Sequence, residues 1–71
     1  MPTVSVYGNK PDTGPGILAA KAVCDDLNLE HPGWNLQEVW SKDKTQYTSA
    51  VPTRAVLIEA VSAKFPQYNV A

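Results

Sequence analysis

The sequence predicts a small α/β protein whose strands and helices alternate in the order β-α-β-α. Residues 3–7 alternate between apolar and polar side chains, which is the period of a strand with one buried face. Residues 17–27 and 54–65 each repeat apolar side chains every three or four positions, as amphipathic helices do. Because 71 residues support only one small core, we expect a single domain over residues 1–71.

Composition excludes several classes of function. The chain is 44% hydrophobic and 18% charged, which is typical of a folded globular protein, and it contains no apolar run of membrane-spanning length. A net charge of −1 with scattered lysines offers no basic stripe for nucleic acid. The single cysteine, Cys24, allows no intrachain disulfide, and the first residues lack the pattern of a signal peptide. We therefore expect a cytoplasmic protein that binds neither nucleic acid nor membrane.

The first strand and the first helix flank a loop rich in proline and glycine. Val4 and Val6 share one face of the strand, and Gly8 and Asn9 end it. Beyond the loop, one face of the predicted helix carries four apolar side chains at helical spacing: Ile17, Ala20, Cys24 and Leu27. Cys24 lies within this stripe, so we interpret it as a small buried hydrophobic residue.

The middle of the chain allows two interpretations. Residues 34–40 are either a strand with Leu36 and Trp40 on one side, or two turns of helix that start at Pro32. The two tryptophans and Val39 favour the strand, which a right-handed crossover would place parallel to the first. The polar residues 41–49 are typical of a surface loop. A second helix then follows Thr53, and Pro66 ends it.

The segment from Tyr7 to Leu29 resembles the start of a glutaredoxin. The similar residues are Val-Tyr-Gly-Asn-Lys-Pro-Asp at positions 6–12 and, beyond the rest of the loop, Ala-Ala-Lys-Ala-Val-Cys-Asp-Asp-Leu-Asn-Leu-Glu at positions 19–30. In that family the loop reads Lys-Pro-x-Cys-x-x-Cys. In this chain the two cysteine positions correspond to Thr13 and Gly16. The resemblance thus identifies a degenerate active-site loop, which consists of Lys10, Pro11, Asp12, Thr13, Gly14, Pro15 and Gly16.

The resemblance implies a thioredoxin-like core of the glutaredoxin type, truncated before the strand that follows the family's cis proline. The chain ends at Ala71, where that proline would come. In such a truncated sheet the strand Thr3–Tyr7 lacks a neighbour on one side. An unpaired edge is a template for pairing with another chain. We therefore expect this edge to bind another protein or a second copy of the chain in a homodimer.

The missing cysteines bear directly on function. The family's nucleophile is a thiolate at the helix N-terminus, and the hydroxyl of Thr13 is not ionised near neutral pH without an adjacent base. We therefore expect a redox-inactive protein-binding module with no cofactor or metal. The alternative is a vestigial glutaredoxin that retains a glutathione- or thiol-related role through Lys10. A third interpretation, an accidental resemblance in a mostly helical adaptor, also stays open.

Candidate partner-binding residues come from two places in the sequence. The polar face of the first strand supplies Thr3, Ser5 and Tyr7, and the tryptophan segment supplies Trp34 and Trp40. Tryptophan is enriched at protein interfaces, although a position in the core or half-buried in a sheet is the commoner role. His31 has no second histidine or cysteine at ligand spacing, so we interpret it as a surface loop residue.

Overall fold

The computed structural model describes residues 2–10, 13–50 and 53–71. Within these residues the regular elements follow the order strand, helix, strand, strand, helix, strand. They are β1 (Thr3–Tyr7), α1 (Ile17–Glu30), β2 (Gln37–Trp40), β3 (Lys44–Thr48), α2 (Arg54–Lys64) and β4 (Asn69–Val70). A single 3₁₀ turn, Pro32–Trp34, connects α1 to β2.

The strands form one antiparallel sheet in the order β2-β3-β1-β4. The register places Val4 of β1 opposite Tyr47 of β3, and Tyr47 in turn opposite Glu38 of β2. The helix α1 connects β1 to β2, and β3 lies between those two strands. This element order and this crossover are those of the split βαβ motif, in which a third strand separates the two strands that a helix joins.

Both helices contribute to one core on one face of the sheet. Alternate side chains of β1 and β3 point toward that core, so Val4, Val6, Thr45 and Tyr47 are fully buried. The buried cluster consists of Val4, Val6, Val23, Cys24, Leu27, Trp34, Leu36, Tyr47, Leu57, Val61 and Phe65. Full burial of one large aliphatic side chain contributes about 1.5–3 kcal/mol, so this cluster provides most of the driving force for folding.

The prediction of a small α/β protein is confirmed, but the predicted order β-α-β-α is wrong. The structure adds β3 and β4, and residues 41–49, predicted as a surface loop, contain β3. The composition of β3 is polar, which favoured the loop. Its inward positions are nonetheless Thr45 and Tyr47, which have high strand propensity and alternate correctly with polar residues.

Two expectations about the first strand are also wrong. β1 does not pair with β2 in parallel, because β3 lies between them. Nor is β1 an open edge, because it pairs with β3 on one side and with β4 on the other. Beyond β4, the backbone of Ser5 exchanges two hydrogen bonds with Ala71, at 2.7 and 2.9 Å. The segment of β3 and the C-terminal tail thus cover both edges of β1.

The predicted helices are confirmed, with different ends. α1 extends three residues beyond the predicted residue 27, to Glu30, and α2 ends at Lys64, one residue before the predicted Phe65. Residues 32–40 combine the two interpretations that the sequence left open. A short 3₁₀ turn forms at Pro32, Asn35 adopts a left-handed conformation with φ of 48°, and the strand then begins at Gln37.

Candidate functional site

The loop predicted as a degenerate active site is held by the Thr13 side chain and by the turn between β2 and β3. The hydroxyl of Thr13 donates to the carbonyl of Lys10 and accepts the Lys10 N–H. Gly14 packs so closely against the Asp43–Lys44 peptide that a Cβ there would lie 2.7 Å from the carbonyl carbon of Asp43. Only glycine fits this approach. Pro11 and Asp12 lie outside the described residues.

Neither Thr13 nor Gly16 places a thiol at the start of α1. The carbonyl of Pro15 accepts a hydrogen bond of 2.8 Å from the Trp40 indole N–H, which ties the loop to the end of β2. Gly16 is the N-cap residue of α1 and provides no side-chain hydrogen bond. With a hydroxyl at Thr13 and no side chain at Gly16, these two positions offer no thiolate for disulfide exchange.

A surface cavity of about 410 Å³ lies beside this loop. Its lining residues are Tyr7, Gly8, Asn9, Lys10, Asp43 and Lys44. The cavity therefore brings together two ammonium groups and one carboxylate, an arrangement that favours a ligand with more negative than positive charges. The glutaredoxin resemblance had assigned Lys10 a glutathione- or thiol-related role. Lys44 was missed because its segment was interpreted as a loop.

Cys24 lies on the buried face of α1, as predicted. Its thiol donates to the Leu36 carbonyl at 3.4 Å. Burial raises the pKa of the Cys24 thiol, and the negative charges of Glu38 and Asp25 raise this pKa further. A reactive cysteine requires the opposite environment, with a lowered pKa and solvent access. Cys24 is thus a packing residue.

Two polar atoms on the core side of β2 and β3 lack hydrogen-bond partners within the described part of the chain. They are Glu38 Oε2 and the Thr45 hydroxyl. Next to them, Tyr47 donates from its hydroxyl to the Ala20 carbonyl of α1 at 2.7 Å. Burial raises the pKa of Tyr47, and the negative charge of Glu38 raises it further. The Tyr47 hydroxyl therefore stays protonated. The layer under α1 therefore contains polar contacts as well as apolar packing.

The side chain of Asn28 closes one end of the outer edge of β2. Its carbonyl oxygen accepts the Leu36 N–H at 2.7 Å, and its amide group donates to the Leu36 carbonyl at 3.0 Å. The carboxamide thus replaces the backbone of a neighbouring strand at this residue. No local sequence signal indicates the contact between Asn28 and Leu36, which are eight residues apart.

The hydrogen-bond register shows which backbone groups of β2 face outward. The Ser41 N–H donates to the Lys44 carbonyl at 2.9 Å, so this pair is hydrogen-bonded across the β2–β3 hairpin. Hydrogen-bonded pairs alternate along an antiparallel ladder, so Val39 and Gln37 also bond to β3. Glu38 and Trp40 therefore direct their N–H and C=O groups away from β3. In the described chain no strand pairs with this side of β2.

Exposed apolar side chains lie on and beside this edge. Val39 is 66% exposed on the sheet face that no described helix covers, and Trp40 is 39% exposed. The first turn of α1, which begins two residues after Pro15, exposes Ile17 and Leu18. We call the open edge of β2, together with the side chains of Ile17, Leu18, Val39 and Trp40, the β2 edge surface. Trp40 was predicted as a partner contact but Val39 was not, because the strand pairing that exposes Val39 depends on β3.

The other candidate partner residues lie elsewhere. Thr3, Ser5 and Tyr7 are on the helix-free face of the central strand β1, where their side chains are exposed or half-buried. Trp34 is buried, with its ring stacked on His31 at a centroid distance of 3.8 Å. Trp34 is therefore a core residue, and His31 is a half-buried loop residue whose ring covers it.

Comparison of the chain with protein-family models, with curated proteins and with solved structures found no match. Among the described residues, His, Cys, Asp and Glu side chains form no group of three or more that could hold a metal ion. In the same part of the chain, neither helix has the length and apolar character needed to cross a membrane.

Proposed function

We propose that this chain is a non-catalytic protein-binding module and that it binds through the β2 edge surface. This proposal rests on two outward-facing residues, Glu38 and Trp40, because no strand among the described residues pairs with their backbone groups. Strand addition to such an edge provides backbone hydrogen bonds, and adjacent apolar side chains add contact area. The edge carries neither a proline nor a lysine, the residues that commonly prevent pairing.

The absence of thiol chemistry is part of the same proposal. Thr13 and Gly16 occupy the positions that the glutaredoxin resemblance assigns to cysteines, and burial suppresses ionisation of Cys24. The relationship to glutaredoxins stays a prediction. Its support is local, because β1, the loop and α1 follow in the expected order. The antiparallel sheet, in which β3 separates β1 from β2, differs from the parallel pairing of these two strands that the sequence predicted.

Protein binding is tested with two matched proline variants. Glu38→Pro removes an outward N–H from β2, and Val70→Pro removes the outward N–H from β4, on the opposite side of the sheet. We expect wild type and the Val70 variant to capture the same protein from a native-host lysate, and the Glu38 variant to lose it. Binding must then be reproduced with the identified partner in purified form. Equal capture by all three proteins would contradict the proposal.

The redox part is tested separately. Reduction of insulin, and of a mixed disulfide with glutathione, should not exceed the rate without protein. Cys24 should react with a thiol reagent only slowly until the protein is denatured. Since its pKa is raised, thiolate forms above the usual pH range, and native-state labelling should remain slow at mildly alkaline pH. Turnover above background, or rapid native labelling, would show an active thiol.

A second candidate function is binding of glutathione in the cavity beside Lys10. The observation that favours it is the charge of the lining, since Lys10, Lys44 and Asp43 match two carboxylates and one ammonium group. We expect glutathione to shift the amide resonances of the lining residues. Lys10→Gln should weaken this binding, whereas Lys21→Gln, on exposed α1 surface, should not. Unchanged spectra at millimolar glutathione would exclude this candidate.

A further inference from the structure

We infer that the β2 edge surface pairs with the same surface of a second copy of this chain, with Val39 on the two-fold axis. This inference rests on the proposed function and names the partner. It follows from the short length of the open edge. At one end of this edge, the Asn28 side chain is hydrogen-bonded to the N–H and C=O of Leu36. At the other end, the hairpin turn at Lys42 and Asp43 ends the strand.

Only a few symmetric registers are available to two such edges. In an antiparallel pair, outward-facing residues must oppose outward-facing residues. A two-fold axis at Glu38 would place the two Glu38 carboxylates opposite each other. It would also align Trp40 with the partner's Leu36, and the backbone groups of Leu36 are already hydrogen-bonded to Asn28. An axis at Trp40 would align Glu38 with the partner's Lys42, which lies in the turn. Both registers leave at least one open residue without a backbone partner.

A two-fold axis at Val39 gives a hydrogen-bond partner to every outward-facing N–H and C=O group of Glu38 and Trp40. Glu38 then lies opposite the partner's Trp40, and Trp40 lies opposite the partner's Glu38, each as a hydrogen-bonded pair. The N–H and C=O of both residues are used, which gives four backbone hydrogen bonds across the interface. Val39 opposes its own copy on the helix-free face, at the close spacing of a non-hydrogen-bonded pair. No like charges face each other in this register.

The side chains around the edge favour the same arrangement. Trp40 is half-exposed, and its indole is fixed by the bond to Pro15, so ordering it on association costs little entropy. Val39 is largely exposed and would be covered by its copy. Pairing two sheets in this way gives one eight-stranded sheet. Its outer edges are the short β4 strands, where the register leaves only Val70 facing outward, so growth stops at the dimer.

The register makes a specific test possible. Val39→Lys and Val39→Glu each place two like charges at the axis, so each variant alone should associate at least about tenfold more weakly than wild type. A mixture of the two should restore the dimer, because opposite charges then meet. Thr3→Lys, on the same sheet face but in β1, is the control and should associate as wild type does. Sedimentation equilibrium of the purified 71-residue chains, with wild type as the reference, measures all four cases.

A second readout depends on the position of Val39 alone. In a non-hydrogen-bonded antiparallel pair the two Cα atoms lie about 4.5 Å apart, within the range that a disulfide spans. Val39→Cys should therefore form a covalent dimer on mild oxidation, whereas Thr3→Cys should not. A monomeric wild type at near-millimolar concentration, or a lysine–glutamate mixture that stays as monomeric as its components, would overturn self-pairing. Capture of a different protein at the same edge would still support the proposed function.

Discussion

Strands β1 and β2 run in the same direction, yet they differ in what surrounds them. β1 lies between β3 and β4, and both of its edges are hydrogen-bonded. β2 has β3 on one side only, and on its other side a single side chain, Asn28, replaces a strand at Leu36. Its remaining outward groups, at Glu38 and Trp40, have no neighbouring strand in the described chain.

This difference separates the residues that hold the fold from those free to bind. Backbone groups in the middle of a sheet must stay paired, because an unpaired buried group costs about 1–3 kcal/mol. Groups at the outer edge are satisfied by water and can exchange water for a partner strand. A substitution in β1 should therefore change stability, whereas a comparable substitution in β2 should change association.

The largest expected effect comes from proline in the central strand. Ser5→Pro removes an N–H that bonds Ala71 at 2.7 Å, and its ring disturbs the pairing of β1 with β4. We expect a loss on the order of 3 kcal/mol in the free energy of unfolding, measured by urea denaturation. Glu38→Pro should cost only about 1 kcal/mol, because its N–H faces outward. Equal losses would mean that the two strands do not differ in pairing.

An intermediate effect is expected where Asn28 closes the edge. Asn28→Ala leaves the N–H and C=O of Leu36 without their partners, so we expect a loss of about 1–3 kcal/mol. Asn28→Asp keeps an acceptor for the Leu36 N–H and should lose less. Thermal unfolding of the two variants measures this difference. Unchanged stability of the alanine variant would show that water replaces the carboxamide without cost.

The smallest effect is expected at the buried hydroxyl of Thr45. Because this hydroxyl has no hydrogen-bond partner among the described residues, Thr45→Val removes an unsatisfied polar group at nearly constant volume. We expect unchanged or increased stability, with a gain of up to about 1 kcal/mol in urea unfolding. A loss as large as that of Asn28→Ala would indicate that the hydroxyl has a partner, such as an ordered water.

Local patterns were sufficient to predict part of this fold. The alternation in β1 and the helical spacing in α1 and α2 predicted those elements, since each depends only on which face is buried. β3 was missed because its polar composition outweighed its period of two. β4 was missed because two residues carry no detectable period. The predicted strand order was therefore also wrong, because both of the missed strands pair with β1.

The candidate site was predictable to a smaller extent. The buried position of Cys24 and the absence of cysteines from the loop follow directly from the sequence. The sequence predicted an unpaired strand edge that binds a partner, but it assigned this edge to β1 and not to β2. Glu38, Val39 and Asn28 acquire their roles from the β2–β3 register and from a side-chain contact across eight residues. Neither is encoded in a local pattern.

The most direct test of the central claim is hydrogen exchange at individual amides. In dilute protein the N–H groups of Glu38 and Trp40 should exchange rapidly, while those of Val39 and Ser5 should be strongly protected. As protein concentration rises, protection should appear at Glu38 and Trp40 alone. Slow exchange of both amides in the dilute monomer would contradict the account, because another segment would then cover the edge. Rapid exchange of both at every concentration would contradict self-pairing.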